Sequence, residues 1–190
     1  ANYGSIARCH SGAAVSARDV AGGLAGANSG TIVNCSSDGP VSGGGFIGGL
    51  VGDNDPRGDV MQCYSSGEVM GVEQGSYCIG GLAGGNGGIM TRCYSVGVVS
   101  AIGNLSSSIG GLVGDNRDVG TVASCFWNMQ NTPDGVGNLD PDPNGVTGKT
   151  TTEMQTAETF IGAGWDFVNI WWIDEGRDYP RLWWELPAEE

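Results

Sequence analysis

Four copies of one block, Gly22-Gly23-Leu24-Ala25-Gly26, Gly48-Gly49-Leu50-Val51-Gly52, Gly80-Gly81-Leu82-Ala83-Gly84 and Gly110-Gly111-Leu112-Val113-Gly114, recur 26 to 32 residues apart. Recurrence at that spacing makes most of the chain an array of about five copies of one structural unit. Each block is followed by an Asn (Asn28, Asn54, Asn86, Asn116), then a Gly, a short apolar stretch and a Cys (Cys35, Cys63, Cys93, Cys125). Three of these cysteines lead through Ser37, Ser65 or Ser95 to Gly39, Gly67 or Gly97 and on to Val41, Val69 or Val99. Length varies only between the Val and the next Gly-Gly-Leu, and between the Asn and its Gly. Insertions therefore collect in surface turns.

Segments such as Gly30-Thr31-Ile32-Val33-Asn34-Cys35 are too short for helices and are bounded by Gly and Asn, so they read as short strands. A unit this small cannot bury its own apolar face. Stacking copies at the spacing of neighbouring strands, about 4.8 Å, creates a shared core and pairs each backbone with the next. The expected fold is all-β, a β-solenoid of the parallel β-helix kind. Leu24, Leu50, Leu82 and Leu112 form one interior ladder in it, the repeat cysteines a second, and Asn28, Asn54, Asn86 and Asn116 a third whose amides bond along the turn.

Composition narrows the partners. The chain has 36 Gly against 8 Lys plus Arg, and its formal net charge of -13 repels phosphate backbones and anionic lipid heads. Nucleic acid is excluded as a partner. No run reaches the eighteen or so apolar residues that a membrane-spanning helix requires. The start at Ala1, without Met, is what removal of a signal peptide leaves, so the expected location is extracellular or at the cell surface.

Through the Gly-Leu-any-Gly core, residues 1 to 127 resemble the GLUG-motif repeats of bacterial surface adhesins, which also stand beside some immunoglobulin A-cleaving peptidases. Residues 128 to 190 resemble the segment that closes such arrays, through Lys149-Thr150-Thr151-Thr152-Glu153-Met154, Gly164-Trp165-Asp166-Phe167 and Tyr179-Pro180-Arg181-Leu182-Trp183-Trp184. The resemblance implies surface location and binding, with no chemistry of its own. The peptidase's metal-binding motif is not in this sequence.

The two ends suggest a use. Asn2-Tyr3-Gly4-Ser5-Ile6-Ala7-Arg8-Cys9 matches the second half of a repeat, with Asn2 and Cys9 in register. A solenoid that begins there presents open strand edges, which template pairing with another chain. At the other end Trp165, Trp171, Trp172, Trp183 and Trp184 crowd together with Phe160, Phe167 and Tyr179. They read as a hydrophobic cap on the last rung, with a sugar platform or a docking face for the next subunit as alternatives. Thr150 and Glu153 have capping-box spacing and predict the one helix, Thr151 to about Phe160.

Candidate chemistry is sparse. His10 beside Cys9 could pair as base and nucleophile, but Cys9 belongs to the interior ladder, and no Ser-His-Asp motif supports the single His. An enzyme is not expected. Six cysteines in a secreted chain suggest disulfides, yet stacked Cβ atoms lie farther apart than a disulfide allows, so a ladder of free thiols is expected, with Cys78 the exception. Asp140, Asp142 and Asn144 alternate oxygen donors before a turn Gly, as in a calcium loop, although the EF-hand position twelve is Thr151. Calcium is thus the one candidate cofactor and none is required; Asp53-Asn54-Asp55 and Asp115-Asn116-Arg117-Asp118 are weaker versions. Asn104, in the longest insertion, is the candidate glycosylation acceptor, since the Asn34 sequon has its Cys in the ladder.

The resulting expectation is a secreted, non-enzymatic bacterial structural protein that self-assembles end to end into a surface fibre or filament. Asn2, Tyr3, Ile6 and Cys9 supply the open rung, and residues 165 to 186 cap it in the next subunit. The alternative is an adhesin-type binding module for a glycan or a host protein.

Overall fold

A computed structural model describes residues 1–72, 77–102, 107–139 and 142–186. Every repeat makes one coil of five short strands, as in Thr31–Val33, Ser36–Ser37, Val41–Gly43, Phe46–Gly48 and Val51–Asn54. Four such coils stack, and a partial fifth follows, so that equivalent strands form five parallel sheets. The all-β solenoid expected from the repeat is what the chain adopts.

Register is kept along the whole stack: Ile6 lies beside Ile32, Ile32 beside Val60, Val60 beside Met90 and Met90 beside Val122. Because side chains alternate between faces, this register sends one set of residues inward from every coil. Ile32, Cys35, Leu50, Val60, Cys63, Leu82, Met90, Cys93 and Leu112 are fully buried in one continuous core. The Leu and Cys ladders are both present.

The Asn ladder pins that register. Asn2 Nδ2 donates to Asn28 Oδ1, Asn28 to Asn54, Asn54 to Asn86 and Asn86 to Asn116, each at 2.8 Å. The same amides of Asn28, Asn54 and Asn116 also donate to the carbonyls of Gly30, Gly58 and Gly120, which explains the Asn-then-Gly order of the repeat. Asn28, Asn54 and Asn86 are completely buried, so each unmade bond would cost a full desolvation penalty.

The Gly-Gly pair also has a steric reason. A Cβ on Gly49 would strike the Gly81 carbonyl and the Ser65 side chain, and one on Gly81 would strike Gly111 and Ser95. The repeat serine thus occupies the space the glycine vacates.

Just before each repeat cysteine, the backbone turns a corner in the left-handed region: Arg8, Asn34, Gln62, Arg92 and Ser124 all have φ of 52 to 53°. Such a conformation costs a residue with a Cβ roughly 1–2 kcal/mol. It recurs because parallel stacking forces each coil to copy the corner below.

The end of the solenoid is closed by a residue the repeat pattern does not single out. Trp127 takes the register position of Ser95 in the last coil, and its indole covers Gly111, Gly135 and Gly148. Gly135-Val136-Gly137 forms a vestige of the repeat block above Val113, and Val146–Lys149 pairs in parallel with Cys125–Asn128.

The Trp-rich tail does something else. Two short helices, α1 (Thr151–Met154) and α2 (Ala157–Ile161), replace the single helix expected, because Thr156 adopts an extended conformation and starts a new turn. The Thr150–Glu153 capping box is formed in full. Beyond α2 the chain runs back along the flank of the coils. With Phe160 of α2, it buries Trp165, Trp171 and Leu182 against Tyr64, Tyr94 and Phe126, an outward-facing column of one sheet. Tyr64 and Tyr94 stack with their ring centres 5.0 Å apart. The expected plug over the last rung is therefore a strap down one side.

Substituting Asn54→Ala strands the Asn86 oxygen and the Gly58 carbonyl and is expected to cost about 3 kcal/mol, against about 1 kcal/mol for Asn116→Ala at the half-buried end of the ladder. Chemical denaturation of the two variants reads the difference, and equal losses would show that the ladder does not hold the stack.

Candidate functional site: a seam between the first coils and the tail

The tail is clamped to the corners of the coil. Trp184 Nε1 donates to the Asn34 carbonyl and Trp165 Nε1 to the Ser124 carbonyl, both at 3.0 Å, while Arg92 Nε donates to the Gly164 carbonyl at 3.0 Å. Trp171 is fully buried between them with its indole nitrogen unpaired. These contacts seat the short 3-10 turn Trp183–Glu185 over the first three coils.

At that seam Glu185 is held by three donors. Its carboxylate accepts from Tyr64 Oη at 2.9 Å, from the Leu182 N–H at 3.0 Å and, at short range, from Ser36 Oγ. Burial, followed by the nearby Glu185 charge, pushes the Tyr64 phenol well above its ordinary value, so the phenol stays a proton donor. His10 lies beside this group, with Nδ1 3.0 Å from Ser36 Oγ and Nε2 3.4 Å from Asp38 Oδ1.

Ser36, His10 and Asp38 resemble an acyl-transfer triad only in composition. Ser36 is completely buried and its hydroxyl proton points to Glu185, which leaves His10 donating to the serine oxygen instead of withdrawing its proton. The Cys9–His10 pair is separated by the pleat: Cys9 packs against the interior and its thiol faces the Ala7 carbonyl at 3.3 Å, while His10 points outward.

All six cysteines are free. Burial raises the Cys63, Cys93 and Cys125 thiols well above their ordinary range, and pushes Cys78 up to about 11. Cys35 moves the other way through its hydrogen bond with Cys63, but it has no exposed surface. Cys78, the expected exception, pairs in register with Phe46 and Ser108 and meets no cysteine there.

Two depressions flank Trp184. One, of about 280 Å³, is lined by Arg8, Asn34, Asn169, Ile170, Trp183 and Trp184. The other, of about 380 Å³, is lined by His10, Asp38, Tyr64, Arg181, Trp184 and Glu185. Sequence reasoning missed Arg8, Asn34 and Glu185; the only signal was that Arg8 and Asn34 occupy the same repeat position before a cysteine.

The residues singled out for self-association separate into two groups. Asn2 is tied into the ladder, Tyr3 is 81% exposed, and Ile6 and Cys9 are half-buried in the first coil. Trp165 and Trp171 are buried within their own chain, Trp172 and Trp184 are half-buried, and only Trp183 is exposed. A neighbouring chain cannot use indoles that this chain has already covered, so residues 165 to 186 are not a free capping face.

Of the calcium-loop candidates, Asp140 lies outside the described residues and so does the glycosylation candidate Asn104. Asp142 accepts from the backbone N–H groups of Gly135 and Val136 at 3.1 and 2.6 Å, which ties down the vestigial repeat, and Asn144 is exposed. Asp53 is paired with Arg117 at 2.7 Å, Asp55 accepts from Ser29 and Arg57, and Asp115 accepts from Asn138. Among the described residues no three carboxylate, His or Cys side chains gather as a metal-ligating group.

No family model matches the chain, and no curated protein matches it significantly. Its fold is similar to the crystal structure of a putative immunoglobulin A1 protease from Bacteroides ovatus, with a TM-score of 0.67 and 21% sequence identity over 96% of this chain. The match spans 58% of that protein's chain, and identity this low establishes the shared β-solenoid fold alone.

Two outcomes follow from the site's ionisable groups. In the native protein a thiol reagent is expected to modify Cys9 rapidly and Cys78 slowly, and to reach the other four only on unfolding; a Cys9→Ser variant that retains the fast phase would contradict the placement. Glu153 is held down at about 2, first by the Thr150 N–H, then by the Thr150 hydroxyl and Lys149. Its folded value lies below the ordinary 4.5, so its contribution is present above that value and is lost as pH falls toward 2. Acid titration followed by tryptophan fluorescence should show the tail loosening in that window, and Glu153→Gln should flatten the transition.

Proposed function

We propose that the chain is a non-catalytic extracellular structural module that associates with a second copy of itself through the first coil. The observation that carries this reading is a gradient along the interior ladders. Ile32, Cys35 and Leu50 have no exposed surface, whereas Ile6, Cys9 and Leu24, one coil earlier, are half-buried at the edge of the same core. Ser5–Ala7, His10–Ser11, Val15–Ala17, Val20–Gly22 and Ala25–Asn28 are the outermost strands of all five sheets. The outer backbone groups of these strands and the half-buried ladder beside them are the kind of surface on which another coil stacks.

The GLUG-type resemblance supports a surface scaffold. The opposite end offers a poorer match, since Trp127, Val136 and Val146 fill its centre. Two copies therefore meet most readily first coil to first coil, as an isologous pair that closes on itself instead of an open fibre.

Sedimentation velocity over a concentration series tests this, with dimer formation expected and weakened by Ile6→Lys. Tyr3→Glu gives the same test without touching the core, since Tyr3 is largely exposed. A wild-type chain that remains monomeric at the highest attainable concentration would overturn the proposal.

A further inference from the structure

The two depressions beside Trp184 open on the flank of the coils; Arg8 and His10 in their walls belong to the first coil, but the inference does not rest on the preceding proposal. We infer that they form one binding groove for an acidic oligosaccharide, with the carboxylate-bearing sugar held at Arg8.

The Arg8 side chain is exposed and, among the described residues, makes no ion pair and no side-chain hydrogen bond. Its guanidinium stands at a pocket wall in a chain of net charge -13, where three of the seven arginines are held in ion pairs, Arg117 with Asp53, Arg177 with Asp174 and Arg181 with Asp178, and Arg92 bonds to the Gly164 carbonyl. A planar fork of donors without a partner matches a carboxylate in both charge and geometry.

The rest of the wall suits a sugar ring. A pyranose offers a flat face of C–H groups and a rim of hydroxyls that donate and accept. Trp183 is exposed at 42%, and Trp184 is held in one orientation by its bond to the Asn34 carbonyl, so two indoles are available for the flat face at little ordering cost. The Asn34 side-chain amide makes no hydrogen bond, and its Oδ1 is buried and unpaired. A small rotation about its soft terminal torsion turns the amide toward a ligand hydroxyl.

Trp184 is the common wall of both depressions, so a second sugar passes over its indole edge into the larger one. There Asp38 is half-exposed beside His10, and the carboxylates of Asp38 and Glu185 accept hydroxyl protons. The acidic sugar belongs on the Arg8 side and a neutral one on the carboxylate side, which sets the direction of the chain in the groove. A peptide is a poorer occupant, because the walls offer few aliphatic pockets for its side chains.

Isothermal titration of the 190-residue chain with sialyllactose, trigalacturonate and lactose tests the inference. Binding of sialyllactose or of trigalacturonate is expected, and which of them binds identifies a host-type or a polyuronate source; lactose should bind more weakly than the acidic sugar that binds. Arg8→Gln should lower affinity for the acidic ligand by about tenfold, the size of one charge-assisted hydrogen bond, while leaving lactose binding and the melting temperature unchanged. Arg177→Gln, which removes the same charge from a remote exposed site, should bind like the wild type, and so should Tyr3→Glu. No binding of either acidic sugar, or undiminished binding by Arg8→Gln, would overturn the inference.

Discussion

Parallel pairing of each coil with the next, in unbroken register, is the constraint on which the rest of this molecule depends. No coil has a core of its own; Leu50 is buried because Leu82 and Leu24 lie on either side of it. The buried Asn ladder turns this generic pairing into a single register. A slip by one residue would reverse every side chain and leave a column of amides unpaired in an apolar interior. Gly-Gly pairs and repeat serines follow from the same stacking, since the coils approach too closely for a Cβ on one side and leave room for a hydroxyl on the other.

Stacking also governs what the outer surface can do. The left-handed corner at Arg8 is copied at Asn34, Gln62, Arg92 and Ser124, so a line of backbone carbonyls and side chains runs down one flank. The tail uses that line as its footing, with Trp184 and Trp165 bonding to carbonyls three coils apart. Alternation across the pleat divides neighbouring residues by role: Cys9 packs against the edge of the interior, while Arg8 and His10 reach the seam. The thiols of Cys35, Cys63, Cys93 and Cys125 are therefore sequestered, and the polar groups available for recognition come from positions that vary between repeats.

Much of the architecture was legible from spacing alone. The Leu, Cys and Asn columns, the short strands and the placement of insertions follow from a repeat whose elements keep their order, because stacking demands equivalence at each position. The seam was not legible. Glu185 meets Ser36 and Tyr64 only because the tail doubles back, and nothing near residue 185 in sequence signals that partner. Trp127 was hidden for a related reason. It lies at a serine position of the repeat, and its role as the plug depends on there being no complete coil above it to fill that space. The crowded tryptophans pointed correctly to a large apolar surface, but not to which surface they would cover.

The sequence by itself determined the coil, because a short-period repeat of apolar, amide and glycine positions has one economical way to bury its apolar face and satisfy its amides, by stacking copy upon copy. Only the tertiary structure decided where the tail went. The outward column of Tyr64, Tyr94 and Phe126 offers more aromatic contact along the flank than the end already filled by Trp127. That choice, made by contacts such as those of Asn34 with Trp184 and Tyr64 with Glu185, more than a hundred positions apart, creates the groove at Trp184.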